Sequence, residues 1–103
     1  MSELAGWQKQ YLRGLAHHLK PLVQIGKFGV TDSLVAAIDK SLEDHELIKI
    51  KFIGFKDEKE ELVKKISVEA RAEVIGLIGN VLTIYRKSHD KEKSKIKIPA
   101  KKP

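Results

Sequence analysis

The chain contains no cysteine, which excludes a disulfide-stapled scaffold, a thiolate zinc site and a cysteine nucleophile. The absence also accords with a reducing cytoplasm, the compartment expected here. No apolar run approaches the ~20 residues of a membrane-spanning helix, so no membrane partner is expected. The opening stretch, MSELAGWQKQ, lacks a basic start followed by an apolar segment, so no secretory signal is expected. Acid is scarce at the start: Glu3 is the single carboxylate in the first thirty residues.

What is present fits one soluble domain. The 103 residues, 42% hydrophobic and 33% charged, are enough for a single core. A net charge of +6 makes an anionic partner plausible, and its distribution is more informative. Residues 1–30 carry four basic and one acidic side chain, while residues 31–60 carry five basic and eight acidic. Residues 61–86 carry four and three, and residues 87–103 hold seven lysines against Asp90 and Glu92. The chain is therefore polarised, basic at its start and tail and acidic in its middle.

Periodicity then organises the chain. In LAGWQKQYLRGLAHH (4–18), Leu4, Trp7, Tyr11, Leu12, Leu15 and Ala16 fall at helical spacing, and Pro21 lies just past the end. LVQI (22–25) is a short strand. Gly26 to Gly29 connect it to a second helix, capped by Thr31 or Asp32, with Leu34, Val35, Ile38 and Leu42 as its apolar positions. Leu47–Phe52 alternates as a half-buried strand, with Ile48, Ile50 and Phe52 to one side and Lys49 and Lys51 to the other. Residues 57–71 give a third helix, buried through Leu62, Val63, Ile66 and Ala70. AEVIGLI (72–78) and VLTIYR (81–86) form a hairpin about Gly79-Asn80.

This order of helix, strand, helix, strand, helix, strand, strand implies an α/β domain with parallel crossovers and a closing antiparallel pair. The expectation is a four-stranded mixed sheet with packed helices, part of one sheet face being open to solvent. Residues 1–86 form the domain, and KSHDKEKSKIKIPAKKP (87–103) reads as a lysine-rich, flexible tail with a short extended piece at Ile96–Ile98.

Four features could carry chemistry. Gly26 and Gly29 bracket Lys27 and Phe28 between a strand and a helix start. They form either a simple turn or a phosphate cradle, where free N–H groups and the helix dipole attract an anion and Lys27 adds charge. Lys9, Arg13 and His17, spaced i, i+4, i+8, make a basic stripe followed by Lys20; it is either a solvated face or an extension of that cradle. Lys49 and Lys51 either track a phosphodiester backbone or guard a sheet against edge pairing. Phe28 either stacks on a base or tucks into the core. No nucleophile, base and orienting group occur together, and the adjacent His17 and His18 point about 100° apart on a helix, so neither catalysis nor a metal or cofactor is expected.

The segments QKQYLRGLAHHLKPLVQIGKFGVTDSLVAAIDKSLEDHELIKIKF and, less closely, AEVIGLIGNVLTIYR resemble the CRM domain family, named for chloroplast RNA splicing and ribosome maturation. Over about residues 7–86 the chain is most similar to the stand-alone bacterial members, small ribosome-associated RNA-binding proteins. The resemblance implies a fold similar to the C-terminal domain of translation initiation factor three. It implies RNA binding through the Gly-x-x-Gly loop and neighbouring basic residues, the partner being ribosomal RNA in large-subunit precursors. The loop positions carry over to Gly26, Lys27 and Gly29, and the basic positions to Lys9, Arg13 and Lys20. Phe28 departs from the pattern, since that place is often polar in the family. KH domains also hold a nucleotide backbone with a Gly-x-x-Gly loop, but theirs joins two helices, whereas this one follows a strand.

The expected function is therefore that of a non-catalytic, monomeric RNA-binding protein with no small-molecule substrate. Its contacts would be Lys9, Arg13, Lys20, Gly26, Lys27, Phe28, Gly29, Lys49 and Lys51. The alternative is a protein-interaction module that docks on ribosomal proteins or assembly factors through the acidic second-helix surface of Asp39, Glu43, Asp44 and Glu46.

Overall fold

The computed structural model describes residues 4–54, 58–90, 92, 94 and 96–99. Seven elements follow in order: α1 (Gly6–Ala16), β1 (Val23–Ile25), α2 (Asp32–His45), β2 (Leu47–Phe52), α3 (Lys59–Glu69), β3 (Glu73–Ile78) and β4 (Val81–Tyr85). The expected order of elements is the observed one. The expected start of the third helix at residue 57 lies outside the described residues. The strands form one sheet in the order β1-β2-β4-β3. β1 and β2 are parallel, and β4 runs antiparallel to both β2 and β3.

Local chemistry explains the elements. Thr31 is extended, and its hydroxyl oxygen accepts the Leu34 N–H at 3.1 Å, an N-cap worth about 1 kcal/mol. Asp32 in the first turn complements the helix dipole. Across β2, Ile48, Ile50 and Phe52 are buried with Val23, Ile25, Leu82 and Ile84, beneath Ile38 and Leu42 of α2 and Ile66 and Ala70 of α3. The opposite face is covered by α1, whose Leu12 and Ala16 pack on Leu47, Ile75 and Tyr85. The result is three layers: α1, the sheet, and α2 with α3.

α1 buries less than its periodicity suggests. Leu12 and Ala16 are inside, but Tyr11 and Leu15 are 40% and 43% exposed. A single helix laid against two strands needs only a narrow apolar stripe. Because α1 stops short of β1, the sheet face carrying Lys51 stays exposed and Lys49 is only half-buried, as the alternation in β2 anticipates.

The C-terminus of α2 is closed by an unusual residue. Glu46 is fully buried, with φ +64°, a left-handed conformation that costs a non-glycine residue about 1–2 kcal/mol. Its N–H donates to Leu42 O at 2.8 Å, and its carbonyl accepts the Arg86 N–H at 2.9 Å. Its carboxylate accepts from Ser88 N–H (2.8 Å), the Ser94 hydroxyl (3.1 Å) and Ile96 N–H (3.2 Å). One turn earlier, Glu43 accepts from the Ser88 hydroxyl (3.1 Å) and His89 N–H (2.6 Å) and lies 3.1 Å from His89 Nδ1. Arg86 bridges the helices, donating to Asp39 Oδ1 (2.6 Å) and Ala70 O (2.7 Å). The described residues beyond Arg86 thus lie against the domain: Ile96 and Ile98 pack on the α1 cluster, and Pro99 O accepts from the Gln8 side chain at 3.1 Å.

Two outcomes follow from this clasp. Replacing Glu46 with alanine strands buried donors and lowers the unfolding free energy by about 2–4 kcal/mol. Glu46→Gly, which relieves the left-handed backbone, recovers about 1 kcal/mol of that loss; urea titrations measure both. The bond from the His89 side chain, followed by that from its backbone N–H, holds the Glu43 carboxyl down at about 2, against an ordinary 4.5. A carboxyl depressed by folding contributes its stability in full above its unfolded value and loses it as pH falls. Stability measured across pH 4.5 to 2 therefore declines less steeply in Glu43→Gln than in the parent chain.

Candidate nucleic-acid interface

The loop Gly26–Gly29 leaves the C-terminal end of β1 as a tight turn, in which the Gly29 N–H donates to Gly26 O at 3.0 Å. Gly29 has φ +68°, a conformation that glycine alone adopts without strain. Gly26 is different: its φ is not positive, and a Cβ there would meet nothing within 4 Å. Nothing within the described chain requires glycine at that place. Between them, Lys27 and Phe28 point outward. Phe28 is 80% exposed, which decides between its two fates in favour of the surface. The Lys27 ammonium lies 5.2 Å from the ring centroid, within cation–π range.

The geometry alters the expected mechanism of the loop. With the Gly29 N–H spent on the turn, Thr31 capping Leu34 N–H, and the Asp32 carboxylate in the first turn of α2, the helix dipole is already partly offset. An anion brought to this place would meet mainly the Lys27 charge, with open space at Gly26.

Sheet register carries a cationic surface away from the loop. Ile53 N–H donates to Ile25 O (2.9 Å) and Phe52 N–H to Asn80 O (2.7 Å). The loop, the end of β2 and the Gly79-Asn80 turn therefore share one end of the sheet. On the face beside α1, Lys51 pairs with Gln24 and Val81, and Lys49 with Thr83. Successive same-face lysines stand about 7 Å apart along the strand. Beyond them, Arg13 and His17 of α1 join Lys49, Ile78 and Thr83 around a groove of about 280 Å³ whose lining holds no carboxylate among the described residues. Arg13 lies across β3 and donates to Ile75 O at 2.8 Å. Gly76, at a register shift in β3, makes room for it, since a Cβ there would stand 3.2 Å from Arg13 Cδ.

Arg13, His17, Lys49 and Lys51 thus gather on one face next to the Lys27 loop. Lys9 and Lys20 do not. Lys9 lines a separate cleft with Arg71 and Lys87 near the opposite end of the sheet, and Lys20 lies on the far flank of α1. Lys9 shares the flank of Arg13 and His17 but stands one turn nearer the start of α1, where it opens onto the other cleft, and Lys20 lies beyond the end of the helix. Sequence reasoning missed Lys59, whose ammonium donates to Gly79 O (3.0 Å) and Asn80 Oδ1 (3.1 Å) at the loop end. It also missed the role of Gly76, for which a lone glycine inside a strand pattern was the available signal.

The acidic surface assigned to α2 is only partly open. Asp39 and Glu43 are engaged by Arg86 and His89, and Glu46 is buried. Asp39 keeps 49% of its side chain exposed and Glu43 28%, so a partner docking there would meet carboxylates already paired within the fold.

Comparison with known proteins supplies the frame for this site. Residues 4–86 match the CRS1 / YhbY (CRM) domain. The chain is 41% identical to an RNA-binding protein of Haemophilus influenzae over 98% of its own length and 100% of that protein. It is 36% identical to the probable RNA-binding protein YqeI of Bacillus subtilis, over 93% and 99% of the two chains. Its fold is similar to the solution structure of the hypothetical protein SAV1595 from Staphylococcus aureus, with a TM-score of 0.78, 40% identity, and coverage of 93% of this chain and 99% of the other.

The two loop glycines should separate in stability measurements. Gly29→Ala forces a side chain into the left-handed region and costs about 1 kcal/mol, whereas Gly26→Ala changes the urea-unfolding free energy by less than about 0.5 kcal/mol.

Proposed function

The chain belongs to the CRS1 / YhbY (CRM) domain family, and from that premise we propose that it is a non-catalytic RNA-binding protein. Its target is ribosomal RNA in precursors of the large subunit, bound by a monomer in the cytoplasm without cofactor or small-molecule substrate. The observation that carries this reading is the groove of Arg13, His17 and Lys49, lined by no carboxylate among the described residues, beside a loop whose Gly26 no contact among those residues requires.

The chemistry follows from the placement. At Gly26 the absence of a side chain lets a phosphate come close to the backbone, and Lys27 supplies the local charge. The exposed Phe28 ring offers a π-face to an unpaired base, a contact worth about 1–3 kcal/mol. Lys51, Lys49 and Arg13 continue the cationic surface along the sheet, where each neutralised phosphate releases counterions. Lys9, Lys20 and the tail lysines add a diffuse field rather than contacts at the loop.

Binding to fragments of large-subunit ribosomal RNA, followed by fluorescence anisotropy at several salt concentrations, tests the proposal. The double change Lys27→Ala with Phe28→Ala should weaken binding by about 10- to 100-fold. Lys49→Ala and Lys51→Ala should each lower the slope of log affinity against log salt by about one, and Lys9→Ala should have a smaller effect. Unchanged affinity on altering Gly26, Lys27 and Gly29 together would remove the loop from the interface.

A further inference from the structure

α1 has two flanks, and only one of them faces the cationic groove. Leu12 and Ala16 point to the sheet, so Arg13 and His17 project to one side and Tyr11 and Leu15 to the other. On that second flank Tyr11, Leu15 and Leu19 are 40%, 43% and 40% exposed, and Leu22 is 55% exposed. Together they wall a groove of about 610 Å³ whose floor is formed by Leu47 at the start of β2 and which Ile96 also lines. Large apolar side chains gathered at a groove mark a recognition surface rather than scattered exposure. Nucleic acid does not account for them, because a phosphate backbone gains nothing from burying leucine.

The rim specifies the partner's charge. Lys20, Lys97 and His45 border the groove, and no aspartate or glutamate lines it among the described residues. A basic segment would be repelled there, and an acidic one attracted. The floor specifies the partner's conformation. β2 is an interior strand, between β1 and β4, so the groove offers no open sheet edge to an extended peptide. A helix satisfies its own backbone hydrogen bonds and needs only apolar walls.

We infer that the groove between α1 and the start of β2 docks an acidic amphipathic helix of a protein partner. Its leucine-like side chains enter between Leu15, Leu19 and Leu22, and its carboxylates meet Lys20 and Lys97. The site lies across α1 from Arg13 and His17, so it can be filled while the cationic face is occupied. Protein docking thereby belongs to the apolar flank of α1 and not to the carboxylates of α2.

Two designed helical peptides test this with the full chain. Both carry leucines at i, i+3 and i+7; one has glutamates on its outward positions and the other lysines. In nuclear magnetic resonance titrations the glutamate peptide should bind at least tenfold more tightly, shifting the amides of Leu15, Leu19 and Leu22 and not those of Lys27 or Lys51. Leu15→Ser and Leu22→Ser, both at exposed positions with the urea midpoint retained, should each weaken that binding by tenfold or more. Lys20→Glu with Lys97→Glu should reverse the preference between the peptides. Equal binding of both peptides, binding of neither, or shifts confined to the loop would overturn the inference. So would a concentration-dependent dimer abolished by the serine changes, which would assign the groove to a second copy. Loss of RNA affinity in Leu15→Ser would assign it to nucleic acid and overturn it as well.

Discussion

Strand β2 must satisfy two layers at once, and that requirement organises the molecule. Its residues 48, 50 and 52 are buried under α2 and α3, while Leu47 on the other face is buried under α1. As an interior strand it is held on both sides by backbone pairing. A shift of register by one residue would drive Lys49 and Lys51 into the core, so their emergence on the α1 side is fixed as firmly as the core itself. The reach of α1 determines how much of that face remains open. The connection from Ala16 to Val23 is short, and the Leu22 N–H donates to Lys49 O at 3.0 Å, which keeps α1 over β3 and the start of β2. The cationic face exists because one helix cannot cover four strands.

The acidic middle of the chain has the complementary fate. Carboxylates that read as surface charge are turned inward or paired: Glu46 takes three donors within the structure, and Arg86 reaches Asp39 and Glu43 from the end of β4. These contacts stand at the end of the sheet opposite to the loop. Negative groups at that end are thus consumed by internal bonds, while Lys27, Lys51 and Lys49 stand toward the other.

Legibility in the sequence followed the range of the interactions. The alternation of Leu47–Phe52, the Thr31 cap and the Gly79-Asn80 turn are set by neighbours in sequence, and all three stand in the structure where local patterns put them. Glu46 was misread because nothing local distinguishes a buried acid from an exposed one. Its partners Ser88, Ser94 and Ile96 lie more than forty residues away. Periodicity placed Lys9, Arg13 and His17 on one side of a helix but could not say where the sheet would meet it. For the same reason Tyr11 and Leu15 read as core, although the contact with β3 and β2 uses only Leu12 and Ala16.

Gly26 and Gly76 differ in what surrounds them. Neither has the left-handed backbone that would explain it. At Gly76 the surroundings are close: Arg13 crosses the strand there to donate to Ile75 O, and a Cβ would stand 3.2 Å from its Cδ, so the arginine would have to shift by a few tenths of an ångström. That glycine positions a cation on the face of the groove. At Gly26 the space beyond the backbone is open, and the position stands beside Lys27 and the exposed Phe28 ring. α1 then separates two kinds of surface, with cations on the flank toward that loop and apolar side chains on the flank away from it. A helix only eleven residues long keeps the two chemistries from competing for one site.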